Sequence, residues 1–177
     1  DDAWAVLQWL QRHGQALGLD AARLAVGGDS AGGTLAAVCA LRARDHGLPL
    51  ALQLLITPGT CAHGDTPSRR LYANGFLLDA ATIDWFFDHY IERRHRADWR
   101  FAPLNHDALE GVAPACVILA ECDPLVDEGL AYADRLRAAG VPVSLELVRG
   151  LTHDFIKMGR MLKEAAEAQQ AAAEAMK

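Results

Sequence analysis

The chain has 177 residues, 51% hydrophobic and 23% charged, which predicts one globular domain with a core and argues against disordered, collagen-like and coiled-coil classes. Its 17 basic and 23 acidic side chains give a net charge of −6, the wrong sign for a nucleic-acid partner. The longest uncharged stretch, residues 47–64, is interrupted by polar residues and prolines, so we expect no membrane insertion.

The first part of the chain predicts two helices and two strands in alternation. Apolar residues at helical spacing indicate an amphipathic helix over roughly residues 1–17. A short apolar run at 24–26, which ends in two glycines, predicts a buried strand that enters a tight turn. A helical pattern follows over residues 30–44, and a second apolar run at 50–56 predicts the next strand.

Residues 60–110 interrupt this alternation and predict an insertion with loops and one aromatic-rich helix around residues 83–87. The alternation then resumes. The remaining segments are predicted as a strand at 115–120, a helix at 127–139, a strand at 141–148 and a long alanine-rich helix from Phe155 to the end.

Four apolar strands separated by helices predict an α/β fold with a parallel sheet, right-handed crossovers and helices on both faces. We expect a single domain over residues 1–177, with 60–110 inserted between strands. The first strand would lie at an open edge, which another strand normally covers. The sequence also begins with Asp1 rather than Met, so we expect N-terminal sequence to be missing. Its first residues do not form the basic and apolar leader of a secreted protein, so we expect a cytoplasmic protein.

A candidate nucleophile lies between the first strand and the second helix. Gly28, Ser30 and Gly32 form a G-x-S-x-G motif, which places a serine on a sharp, strained turn between small residues. The alternative is an ordinary glycine-rich turn without a catalytic role. A phosphate-binding loop is disfavoured because no lysine precedes Thr34.

A serine nucleophile needs a base, and the base needs an orienting acid. Asp123 follows the third strand directly and is the preferred acid. Asp127 remains as an alternative, although it is better placed as the N-cap of the next helix. Of seven histidines, only His153 lies in a loop directly after a predicted strand, so it is the preferred base. The alternative is that His153 is only a structural residue at the beginning of the last helix.

In this combination the chain resembles the hormone-sensitive lipase family, the bacterial family IV esterases of the α/β-hydrolase fold. The resemblance rests on three segments, Gly-Asp-Ser-Ala-Gly-Gly at 28–33, Asp-Pro-Leu-Val-Asp-Glu-Gly at 123–129 and Gly-Leu-Thr-His-Asp-Phe at 150–155. It implies a carboxylesterase that forms an acyl-enzyme on short- to medium-chain acyl esters, without a metal or organic cofactor. Ser30 would be the nucleophile, His153 the base, Asp123 the acid and the Ala31 N–H an oxyanion donor.

The chain departs from the family in two respects. It has no His-Gly-Gly-Gly run, so the N-terminal strands and the rest of the oxyanion hole are expected in a missing N-terminal segment, its expected partner. Residues 60–110 would then contribute to a cap. Asp154 stands where the family commonly has glycine, and would either raise the basicity of His153 or face solvent.

Three further expectations remain open. Phe76, Leu125 and Phe155 are candidates for an apolar substrate pocket, although each is more often plain core. The basic run at 93–96 is expected to be a solvated helix end. A non-catalytic binding protein on the same scaffold, a fragment active only with its N-terminal half, and a homodimer are all left open.

Overall fold

The computed structural model describes residues 1–62 and 64–177, and within them four strands alternate with helices. The strands are β1 (Ala25–Asp29), β2 (Leu52–Ile56), β3 (Ala115–Cys122) and β4 (Val143–Thr152). The α-helices are α1 (Asp2–His13), α2 (Ala31–Asp45), α3 (Pro67–Leu71), α4 (Ala80–Tyr90), α5 (Val126–Ala138) and α6 (Lys163–Ala175). Short 3-10 helices cover Gly14–Leu17, Arg93–His95, Pro103–Asn105 and Phe155–Met158.

The strands form one parallel sheet in the order β1-β2-β3-β4, which confirms the predicted α/β class. Asp29 pairs with Ile56, so β1 and β2 end together, and Cys122 pairs with Thr152, so β3 and β4 end together beyond them. The carboxyl ends of parallel strands share one edge of the sheet, where ligands bind in open α/β folds. The turn after β1 and the loops after β3 and β4 therefore meet at that edge.

Helices cover both faces of the central strands, and as a result every side chain of β2 is buried. One face packs on α2 and α5 and the other on α6. Residues facing α2 and α5 include Leu55, Val117 and Leu119, and those facing α6 include Leu54, Ile118 and Ala120. Helix α1 packs on α2 through Trp4 and Leu7.

The two outer strands are less covered than the sequence predicted. β1 and β4 both contain exposed positions, and Leu147 of β4 is 40% exposed. The expectation of four equally buried strands was wrong for β4, because it forms an edge of this sheet and its run contains Ser144 and Glu146. β4 also continues to Thr152, which places His153 directly at its carboxyl end.

The predicted long C-terminal helix is interrupted. A 3-10 helix covers Phe155–Met158, and α6 begins only at Lys163. The side-chain amide of Gln169 donates to the backbone oxygen of Ile156 at 2.7 Å. A Cβ at Gly159 would lie 2.3 Å from the Gln169 side-chain oxygen, so glycine leaves the space that this contact occupies.

Arginines of α2 and α5 bind the backbone of the segment 60–110. Arg135 of α5 donates to the backbone oxygen of His106 at 2.8 Å, and Arg44 of α2 donates to that of Glu110, also at 2.8 Å. The basic run at 93–96 was expected to be solvated, but Arg96 is buried and contacts Asp88 at 2.5 Å. No helix among the described residues is long and apolar enough to cross a membrane.

Candidate active site

Ser30 lies in a strained turn between β1 and α2. Its φ of 58° and ψ of −120° fall in a region that residues with a side chain rarely adopt. The Ser30 backbone N–H donates to the oxygen of Ile56 at 2.9 Å, and its carbonyl accepts from the Thr34 N–H at 3.1 Å. The turn is therefore fixed on both sides, by β2 and by the first turn of α2.

Close packing in this turn excludes a side chain at Gly28 and leaves little room for one at Gly33. A Cβ at Gly28 would lie 2.3 Å from the carbonyl carbon of Gly32, which forbids any side chain there. A Cβ at Gly33 would lie 3.0 Å from that of Pro58. A Cβ at Gly32 would meet nothing within 4 Å, so there is room for a small side chain at this position of the motif. The second steric glycine is Gly33.

The structure brings Ser30, His153 and Asp123 together. His153 Nδ1 lies 2.6 Å from Asp123 Oδ2, and His153 Nε2 lies 2.8 Å from Ser30 Oγ. Asp123 and His153 are both buried. The three side chains follow β1, β3 and β4 at one edge of the sheet, so the imidazole connects the carboxylate to the hydroxyl in a single line of hydrogen bonds.

The Asp123 carboxylate is held by the chain around it. Its second oxygen accepts from the Leu125 N–H at 2.8 Å, which leaves Oδ2 for the imidazole. Asp127 was expected to be the N-cap of α5, but Leu125 occupies that position. Instead, its carboxylate accepts from the Ser68 N–H at 2.8 Å and serves the beginning of α3.

The environment of His153 favours the imidazolium. Burial pulls the pKa of His153 down, but the hydrogen bond and the charge of Asp123, with the charges of Asp154 and Asp29, outweigh it and raise the pKa above 6.5. This is the electrostatic setting of a base that must take up a proton at the site. Asp154 does not simply face solvent, since Lys157 contacts its carboxylate.

The Ala31 N–H lies where an oxyanion donor is needed. Ala31 is the first residue of α2, so its N–H has no carbonyl partner within the helix. It directly follows Ser30, and the helix N-terminus adds a favourable field for negative charge. This N–H can therefore donate to an oxygen that becomes negative next to the serine.

The candidate pocket residues lie in different surroundings. Phe155 is 1% exposed and belongs to the core against α6, and Leu125 is also buried. Phe76 is partly exposed and packs edge-on against Tyr72, with ring centroids 4.9 Å apart. Four other histidines are exposed as expected, namely His13, His46, His89 and His95. His63 lies outside the described residues.

Sequence reasoning assigned no function to Glu128, a buried carboxylate of α5. Its Oε1 accepts from the N–H groups of Thr60 at 2.6 Å and Cys61 at 3.0 Å, and Arg69 lies 3.8 Å from Oε2. Burial raises the pKa of Glu128 to about 7, although Arg69 and the two N–H groups oppose the shift. The sequence analysis considered its neighbour Asp127 as a cap and as the alternative acid, and gave Glu128 no role of its own.

Comparisons with known proteins show what the chain is similar to. Residues 1–157 match a family described as the alpha/beta hydrolase fold. The chain is 45% identical over 170 residues to an ethyl acetate hydrolase of Pseudomonas putida, covering 94% of this chain and 54% of that protein. It is 43% identical over 166 residues to the carboxylic ester hydrolase LipN of Mycobacterium tuberculosis, covering 89% and 44%.

A solved structure is also similar. The thermophilic carboxylesterase EstE1, cloned from a metagenomic library, superposes with a TM-score of 0.95 at 34% identity, covering 99% of this chain and 61% of that one. The chain thus spans about half the length of the curated relatives above, 54% and 44%.

Proposed function

The chain belongs to the alpha/beta hydrolase family, which confirms the resemblance drawn from its sequence, and we propose that it carries the catalytic triad of a carboxylic ester hydrolase. One observation carries this proposal, the line of hydrogen bonds from Asp123 through His153 to Ser30, at 2.6 and 2.8 Å. The strained Ser30 backbone supports it, because strain of this kind concentrates at functional sites.

The reaction proceeds in two steps. Ser30 Oγ attacks the ester carbonyl carbon while His153 Nε2 takes the hydroxyl proton, and the tetrahedral intermediate collapses as the imidazolium protonates the leaving alcohol. Water then attacks the acyl-enzyme, again losing its proton to His153, which returns it to Ser30 Oγ as the acid is released. Asp123 holds the imidazole in one tautomer and stabilises its positive charge throughout.

Charge on the tetrahedral oxygen requires several donors, of which this chain supplies the Ala31 N–H. We place the remaining donors in a segment outside this chain, because the sequence lacks a His-Gly-Gly-Gly run and the relatives are about twice as long. Loss of one such donor typically lowers the rate by a factor of about 10² to 10³. The chain alone should then acylate slowly even if its three reacting residues are assembled.

The substrates are small esters with short to medium acyl chains. Support comes from the relative named ethyl acetate hydrolase, at 45% identity, together with the carboxylesterase names of other relatives. Residues 60–110 would contribute to the cap over the site. Phe76, partly exposed on this segment, is the pocket candidate that stays accessible to a ligand.

The first experiment is labelling with a fluorophosphonate, which reacts with activated serines, followed by peptide mapping. We expect one adduct, on Ser30, that is absent from Ser30→Ala and strongly reduced in His153→Gln. An adduct on a different serine would overturn the assignment. The same preparations are tested on 4-nitrophenyl acetate, butyrate and decanoate, where the two shorter esters should react faster than the longest.

A second arm deals with the donors that this chain lacks. The chain is labelled again after addition of the part of the ethyl acetate hydrolase that it does not cover. Faster labelling of Ser30 would support the placement of oxyanion donors outside the chain. A folded chain that gives no adduct in either arm would instead favour a non-catalytic binding protein and overturn the proposal.

A further inference from the structure

The nucleophile and the base are each flanked by a carboxylate. Asp29 directly precedes Ser30 at the end of β1, and Asp154 directly follows His153. Lys157 Nζ lies 3.1 Å from Asp29 Oδ2 and also contacts Asp154 Oδ1. One ammonium group therefore bridges the turn that carries the serine and the loop that carries the histidine.

We propose that Lys157 is a positioning residue, which ties the His153 loop to the Ser30 turn and balances the two flanking carboxylates. The inference rests on the function proposed above and extends it to a residue that touches none of the reacting atoms. Asp29 offers a fixed anchor, because its other oxygen accepts from the buried Thr57 hydroxyl at 3.0 Å.

The loop on the other side is held in an unfavourable conformation. Asp154 has a φ of 65°, in the left-handed region that favours glycine and that only asparagine and aspartate tolerate with some ease. The Lys157 N–H donates to the Asp154 backbone oxygen at 3.1 Å, which places the ammonium within reach of the carboxylate. Both the backbone and the side chain of Lys157 thus hold this residue.

The bridge also involves carboxylates that act on the charge of His153. The carboxylates that act on the imidazole come from three elements: Asp123 after β3, Asp29 at the end of β1, and Asp154 after β4. Lys157 contacts Asp29 and Asp154. The carboxylates stabilise the imidazolium, and Lys157 is the cation placed among them. Removal of this cation leaves two uncompensated negative charges beside the base, which favours its protonated form.

The exposure of Lys157 makes the inference testable. Its side chain is 62% exposed, and solvent-exposed ion pairs contribute little to the stability of the fold. We therefore expect Lys157→Met to fold, with its effect confined to the site. Lys157→Arg keeps the cation, and Asp154→Asn removes one carboxylate while it still tolerates the left-handed conformation.

The first test measures the His153 imidazole directly, by an NMR pH titration assigned through its loss in His153→Gln. We expect the pKa of His153 to be highest in Lys157→Met, lower in the wild-type chain and in Lys157→Arg, and lowest in Asp154→Asn. Equal titration of His153 in the wild-type chain and in Lys157→Met would overturn the charge-balancing role. This readout does not depend on esterase activity.

The second test measures the rate at which the fluorophosphonate labels Ser30, at pH 6 and at pH 9. We expect Lys157→Met to label more slowly at both values, more so at pH 6, and Lys157→Arg to recover most of the rate. An unchanged rate at pH 9 would overturn the tie between the two loops. Absence of any adduct on the wild-type chain, both alone and with the added segment of the relative, would refute the proposed function, while the titration would still report on Lys157.

Discussion

Glu128 makes the stability of this protein depend on pH in a direction opposite to that of most carboxylates. Burial raises its pKa from 4.5 to about 7, so the folded chain holds the proton more tightly than the unfolded chain. A raised pKa contributes stability that is fully present below pH 4.5 and is lost as the pH rises through about 7. At 1.36 kcal/mol for each pKa unit, the loss amounts to about 3 kcal/mol.

The test is Glu128→Gln, which keeps the shape of the side chain and removes its titration. Urea unfolding of both proteins gives the free energy of unfolding at several values from pH 4.5 to pH 8. We expect the wild-type value minus the variant value to fall by about 3 kcal/mol over this range. His153 and the other titrating groups occur in both proteins, so their contributions cancel in the difference.

Glu164→Gln, on the exposed first turn of α6, controls for the loss of one negative charge. A difference between wild type and Glu128→Gln that stays constant from pH 4.5 to pH 8 would refute the reasoning, and so would one that rises with pH. Either result would mean that Arg69 and the N–H groups of Thr60 and Cys61 keep the carboxylate ionised despite its burial.

Two further predictions concern packing. Gly28→Ala places a Cβ 2.3 Å from the Gly32 carbonyl carbon, so we expect it to lower the free energy of unfolding by at least about 2 kcal/mol and to abolish labelling of Ser30. Gly32→Ala should leave both the free energy of unfolding and the labelling of Ser30 unchanged. Equal behaviour of the two variants would contradict the steric argument. Phe155→Ala should destabilise the fold by about 3 to 5 kcal/mol because Phe155 is buried, while Phe86→Ala, at a side chain that is 53% exposed, should change urea unfolding little.

Much of this molecule is readable from its sequence, because the signals are local. The apolar run before Gly28 and the helical pattern after Ser30 together predict a strand, a sharp turn and a helix, and these are observed. Asp123 and His153 were selected by their positions directly after strands, and the sheet brings both beside the serine. Parallel strands that end at one edge are sufficient to convert sequence position into proximity.

The features that the sequence did not reveal depend on contacts between distant segments. The C-terminal helix breaks where Gln169 reaches back to the backbone of Ile156, a contact that no periodicity encodes. Asp127 has the chemistry of an N-cap and was expected to cap α5, yet its carboxylate accepts from Ser68 at the beginning of α3. Lys157 reads as an ordinary surface lysine until the fold places Asp29 next to it.

The loop after β2 supplies none of the three proposed catalytic residues, yet it joins the elements that do. The Thr34 hydroxyl of α2 donates to the Gly59 oxygen at 2.6 Å, and α2 follows the serine. Glu128 of α5 accepts from the Thr60 N–H at 2.6 Å, and α5 follows Asp123. This loop therefore contacts both the helix that follows the nucleophile and the helix that follows the acid, and it fixes their spacing from one side.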